Sequence, residues 1–267
     1  MISVRQEAPD RWTALRSDGG AAGRLRLLVR PDDRRILLLQ GGADGPLLDT
    51  VLAAEGDGDL YAEAGEDDGD RLSALTSRDF TVARREHLYA VPTTPPTTPP
   101  GTAAGWPDGF AVVSAADADM VRLTALDRDL RRDVPGTGEW RTDPRTFRRE
   151  TFGDPEFDPS TYLVAVDGDT GGYAGLVRVW IRARPARPRL GLIGVLPAYR
   201  RRGLARALVA RVFGVLRERG EAEVVCEVDE TNAGSNALFA GFGARRIGGS
   251  VELVRPARNS LAPPAAG

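Results

Sequence analysis

Short apolar runs bounded by glycine, proline and aspartate alternate along the chain with stretches whose apolar residues recur every three or four positions. Strands and amphipathic helices are therefore predicted to follow one another. Up to Pro92 the pattern predicts strands over Leu25–Val29 and Ile36–Leu39, joined by a turn at Pro31-Asp32-Asp33, and further strands over Asp59–Ala64 and Thr81–Val91. Helices are predicted over Leu47–Ala54 and Arg71–Ser77. Residues 93–105 are rich in proline and threonine; they can form neither helix nor central strand and read as an extended spacer. Beyond it come a strand at Ala111–Ser114, a helix over Asp117–Leu130 that Asp117 could cap, and an irregular stretch from Asp133 to Pro159. A hairpin of Thr161–Val166 and Tyr173–Ile181 is next, then a buried strand at Leu190–Val195. A long helix running from Leu204 to near Gly220 buries Leu204, Ala207, Leu208, Val212, Val215 and Leu216 on one face. A strand at Ala222–Val228, a helix at Gly234–Ala240 and closing strands within Arg245–Val254 complete the pattern. The fold class is α/β with a mixed central sheet, preceded by a smaller α/β half-unit. The implied domains are 1–92, a linker at 93–105, 106–257 and a disordered tail at 258–267.

Composition narrows the partners. All 36 basic residues are arginine, against 38 acidic ones, and the net charge of −2 argues against a nucleic-acid or membrane partner. The arginine, alanine and glycine bias reads as a GC-rich, actinobacterial genome. A single cysteine, Cys226, excludes an internal disulfide and fits a reducing compartment. No apolar run approaches the roughly 18 residues of a membrane span, and residues 1–20 lack a signal-peptide core, so a soluble cytoplasmic protein is expected. The oligomeric state is not legible.

The candidate chemistry lies in Gly191–Ala205, where a buried strand is closed by Pro197 and then by Arg200-Arg201-Arg202-Gly203 before the long helix. The first amides of a helix have no partner inside it and carry partial positive charge, so this turn is an anion cradle formed by the amides of Arg201 to Arg206. The absence of lysine excludes a GxxxxGK[ST] nucleotide loop, and no GxGxxG is complete. What remains is Arg200-x-x-Gly203-x-Ala205 after Val195-x-Pro197, which resembles the acyl-CoA diphosphate loop of the GNAT superfamily of N-acyltransferases; the resemblance spans roughly Phe110 to Pro256.

That resemblance implies acetyl-CoA as cosubstrate, held by Arg200, Arg201, Arg202, Gly203, Leu204, Ala205 and Arg206. It implies a pantetheine arm paired with the exposed backbone of Ile193 to Val195, the Val195 amide acting as oxyanion donor. Asn232, Ser235, Asn236, Leu238 and Phe239 match the family's N-x-x-[AS]-x-x-L-[YF] segment. Asn232 would cap a helix or touch the cofactor arm, while Asn236 reads as solvated. Phe239 stands where many members carry a tyrosine that protonates the thiolate; Tyr162, Tyr173 and Tyr199 are substitutes that the sequence does not rank. Glu227 stands twelve residues before Phe239, matching the proposed base of ribosomal-protein alanine acetyltransferases, with Asp229 as the fallback. A proton relay through water would suit it. No metal site is expected, and His87, the only histidine, reads as a surface residue, which leaves no Ser-His-Asp or Cys-His scheme in the second domain.

An offset of 164 positions pairs Glu227 with Glu63, Asn232 with Asp68, Phe239 with Leu75 and Gly243 with Asp79, without a gap. The first domain therefore resembles the second half of another GNAT unit, cut short at its start and without Arg-x-x-Gly-x-Ala; the mycothiol synthase family has this tandem architecture. Three functions remain. One is an N-acetyltransferase acting on a small-molecule or peptide amine by direct attack in a ternary complex. A second is a non-catalytic acyl-CoA-binding or regulatory module, and a cofactor-free interaction protein is a third.

Overall fold

The computed structural model describes residues 1–54, 58–94, 106–137, 140–182 and 187–257; most of the proposed linker and all of the proposed tail lie outside them. The chain divides into two compact units, Met1–Glu86 with Gly248–Gly267, and His87–Ile247. The division differs from the boundaries read at residues 92 and 105. Residues 250–255 pair antiparallel with Gly65–Leu60, so the end of the chain contributes a strand to the first unit.

The first unit begins with an antiparallel meander of β1 (Ser3–Ala8), β2 (Arg11–Leu15), β3 (Ala21–Val29) and β4 (Arg35–Gly41). The turn between β3 and β4 is at Asp33, at φ 61°, whose amide donates to Arg30 O at 3.0 Å. Helix α1 (Asp44–Ala54) leads to β5 (Leu60–Gly65), parallel to β4. Helix α2 (Gly69–Thr76) follows, then β6 (Thr81–Pro92). Trp12, Leu25, Leu37, Leu48, Val51, Leu75 and Phe80 form one buried core. The hydrophobic pattern does not announce β1 and β2: β1 exposes Arg5, Gln6 and Glu7, as an edge strand tolerates, and β2 is short.

The second unit opens with β7 (Phe110–Ser114) and a short 3-10 turn, and then α3 (Met120–Arg131). Asp119 caps α3, accepting from the Arg122 amide at 2.9 Å, so the expected start and cap at Asp117 are displaced: Asp117 ends the 3-10 turn instead. The stretch read as irregular contains α4 (Pro144–Phe152), with Asp143 as cap and Pro144 in the first turn, where proline is tolerated. Strands β8 (Tyr162–Asp167), β9 (Tyr173–Trp180) and β10 (Arg189–Val195) are antiparallel, and α5 (Leu204–Glu218) connects β10 to the parallel strand β11 (Glu223–Asp229). Helix α6 (Ala233–Ala240) precedes β12 (Arg245–Arg255), a single strand where closing strands were expected. Within this unit the order is residues 87–92 of β6, then β11, β10, β9, β8 and β7. Helix α5 buries Leu204, Leu208, Val212, Phe213 and Leu216 against β8, β9 and β10 and ends before Gly220, at φ 87°.

Candidate functional site

The site of the second unit is built where β10 leaves its neighbour. Strands β10 and β11 share one paired position, Arg189 with Val225, and then part. On its other edge β10 stays paired with β9 up to Val195, and the Leu196 amide donates to Ala174 O at 2.8 Å. Amides alternate along a strand, so those of Ile193 and Val195 point away from β9, into the gap beside β11. The parting leaves a cavity of about 660 Å³.

Its floor is the cradle. Arg201 has φ 63° and Gly203 has φ 82°, and two left-handed residues two positions apart turn the intervening amides into one concavity. Helix α5 starts on glycine and has no side-chain cap, whereas α2, α3, α4 and α6 are each capped by an aspartate or asparagine. The first helical bond is from the Ala207 amide to Gly203 O at 3.0 Å. A helix start without a side-chain cap presents amides and partial positive charge that favour an anion.

Of the residues predicted from sequence, Ile193, Val195, Arg200, Arg201 and Gly203 line this cavity, as do Leu204, Ala205 and Arg206 of the helix start, and Asn232 and Ser235 opposite. Asn232 also caps α6, accepting from the Ser235 amide at 3.0 Å, so its side chain has both of the expected roles within reach. Arg200 donates from Nε to the Val195 carbonyl at 2.9 Å and pairs with Asp133.

Three predicted residues are placed elsewhere. Arg202 lies 5.9 Å from the ring centroids of both Phe110 and Tyr199 and is not on the cavity wall. Phe239 is only 1% exposed and packs in the core. Glu227 is off the wall, paired with Arg189 at 2.8 Å across the two strands where they part. Asn236 is not merely solvated: its amide donates to the carbonyls of Asp229 and Asn232 at 3.0 and 2.9 Å and its oxygen accepts from Tyr89 at 2.9 Å, tying down the loop before α6. The structure adds Leu130, Asp133 and Val134 from the end of α3, which no motif marks.

The tyrosines can now be ranked. Tyr162 is fully buried, and desolvation pushes its phenol above the ordinary range. The Tyr173 hydroxyl accepts from the Asp119 amide at 2.8 Å. Tyr199 lines the cavity; the Asp167 carboxyl sits below its ordinary value chiefly because it accepts from the Thr170 amide, with the Tyr199 hydroxyl a lesser cause. Cys226 is buried, and desolvation, with Glu227 adding, pushes its thiol up to about 12, which leaves it inert. Among the described residues, no group of three or more metal-ligating side chains is assembled, and no helix is long and apolar enough to cross a membrane.

Residues 123–244 match the profile of the Acetyltransferase (GNAT) family. A protein named mycothiol acetyltransferase from Clavibacter michiganensis is 29% identical over 258 residues, covering 84% of this chain and 82% of that protein. One of the same name from Salinispora arenicola is 33% identical over 135 residues, and the match spans 49% of this chain but only 43% of that relative. A GCN5-related N-acetyltransferase from Sphaerobacter thermophilus has the same fold at a TM-score of 0.72 and 22% identity, covering 94% of this chain and 83% of that one. A tandem GNAT protein from the clavulanic acid biosynthesis pathway aligns at 0.65 and 18% identity, covering 95% and 82%.

Proposed function

We propose that this chain is an acetyltransferase of the GNAT family, whose second unit binds acetyl-CoA in the cavity beside β10 and transfers the acetyl group to an amine by direct attack. The observation that carries this reading is the uncapped start of α5, opening on the cavity between parted strands. The diphosphate takes the amides after Arg201, and the arm lies along the free edge of Ile193–Val195, as an added strand would. Attack forms the C–N bond and gathers charge on the thioester oxygen, which the Val195 amide stabilises; collapse then breaks the C–S bond.

The proton leaving the amine passes through water to Glu227, which Arg189 holds at the parting of the strands with 28% of its side chain exposed. Phe239 cannot protonate the leaving thiolate, Tyr162 is buried in the core, and Tyr173 is not on the cavity wall. Of the three candidate tyrosines Tyr199 is the one that lines the cavity, so CoA thiolate takes its proton there or departs unassisted, which slows transfer without forbidding it. Relatives named mycothiol acetyltransferase make an amine related to mycothiol the first acceptor to try.

The test is CoA release from acetyl-CoA over a panel of amines, with Glu227→Gln alongside. Turnover on an amine is expected, falling by about a hundredfold in the variant. Tight acetyl-CoA binding without turnover on any amine would leave only the binding-module reading, and an unchanged rate in Glu227→Gln would remove that residue from the mechanism.

A further inference from the structure

We propose that Asp133 and Arg200 form an exchange latch across the acetyl-CoA cavity: the guanidinium leaves the carboxylate for the diphosphate when the cofactor enters. The proposal deepens the functional reading above and rests on it.

Arg200 opens the Arg-x-x-Gly-x-Ala cradle, yet its guanidinium is turned to the protein, with Nε on the Val195 carbonyl and one terminal nitrogen on Asp133. Asp133 is not adventitious surface charge. It follows α3, its amide bonds to Leu130 O at 3.3 Å, and among the described residues lining the cavity it is the carboxylate. Leu130 anchors the segment, since its side chain lies 3.0 Å from where a Cβ on Gly194 would stand. The latch therefore joins a fixed point on the far wall to the strand that receives the pantetheine arm.

The pair is weak enough to exchange. Its side chains are 45% and 52% exposed, and ion pairs so exposed in water contribute little. A diphosphate offers Arg200 more charge and more acceptor oxygens than one carboxylate does. The Nε contact keeps the guanidinium near the cradle during the exchange. Asp133 remains on the wall as a competing anion that the diphosphate must displace, so the chain holds its cofactor less tightly than the cradle alone would allow.

The experiment measures the affinity of purified full-length protein for acetyl-CoA and for S-acetylpantetheine, which has the same thioester arm and no diphosphate. Asp133→Asn is expected to tighten acetyl-CoA by about fivefold and leave S-acetylpantetheine unchanged. In an Arg200→Gln background the gain from Asp133→Asn shrinks, because the arginine it releases is gone. Equal acetyl-CoA affinity in Asp133→Asn and wild type, or equal tightening of both ligands, overturns the latch while the functional reading stands. Failure of the wild type to bind acetyl-CoA at all overturns both.

Discussion

The two units contain the same strand–turn–helix in two states. In the second, Arg201 and Gly203 are left-handed and α5 begins at Leu204. In the first, Gly41 and Ala43 are left-handed at φ 77° and 62°, and α1 begins at Asp44. The backbone of an anion cradle is thus present twice, but the chemistry is not. Three arginines become Gln40, Gly41 and Gly42, the first turn of the helix carries Asp44, and an acid at the helix start repels the charge that the amides would attract. The gap is closed as well: β4 and β5 share three paired positions where β10 and β11 share one.

A side chain of the unit itself takes the place an anion would leave. Arg71 donates to Asp44 at 2.8 Å and to the Gly41 carbonyl at 3.0 Å, and it stands at the position of α2 that Ser235 holds in α6. A short residue there lines a cavity; a long cationic one fills the loop. Backbone geometry alone therefore does not make an anion cradle: in the first unit an arginine of the unit itself fills the loop.

The sharpest way to break this comparison is charge at the two left-handed positions. Gly203→Asp keeps a residue that tolerates this backbone and puts a carboxylate in the cradle. The acetyl-CoA dissociation constant is expected to rise by about a hundredfold or more. Ala43→Asp, the matching change in the first unit, is expected to leave it unchanged. Equilibrium dialysis checks both, and it also checks that the wild type binds one acetyl-CoA per chain. A second bound equivalent would show that the first cleft opens.

Next in size is Arg71→Ser, which copies the second unit into the first. Removing a largely buried ion pair and a bond to a backbone carbonyl is expected to cost about 1–2 kcal/mol in urea unfolding, with acetyl-CoA affinity unchanged. Loss of affinity in this variant would mean that the first unit takes part in binding.

How much of this was legible depended on whether a residue announces itself locally. The cradle did, because three arginines and a glycine between an apolar strand and an amphipathic helix have a chemical meaning in sequence. So did the repeat: α2 and α6, β6 and β12 begin at positions 164 apart, and Asp79 and Gly243 are both left-handed. The opposite wall of the cavity did not. Leu130, Asp133 and Val134 are ordinary end-of-helix residues until folding brings α3 across β10. Helix α4 was hidden by its first residue, because Pro144 reads as a breaker unless Asp143 is recognised as the cap before it. Spacing singles out Glu227 as a candidate, but spacing does not reveal that Arg189 pairs with its carboxylate.

The finest test uses the pair 68 and 232. Asp68 and Asn232 cap α2 and α6 with nearly the same backbone, φ −85°, ψ 73° against φ −77°, ψ 76°, and each accepts from the amide three residues on. Aspartate and asparagine are equivalent caps, so Asn232→Asp is expected to change stability by less than about 0.5 kcal/mol. In the second unit this cap lines the cavity, where the new carboxylate would face the proposed diphosphate. Acetyl-CoA affinity is expected to fall by a few fold at low salt, with the loss shrinking as ionic strength rises. A stability change with unaltered affinity would assign Asn232 to capping alone; unaltered stability with a salt-dependent loss of affinity would place its side chain on the cofactor.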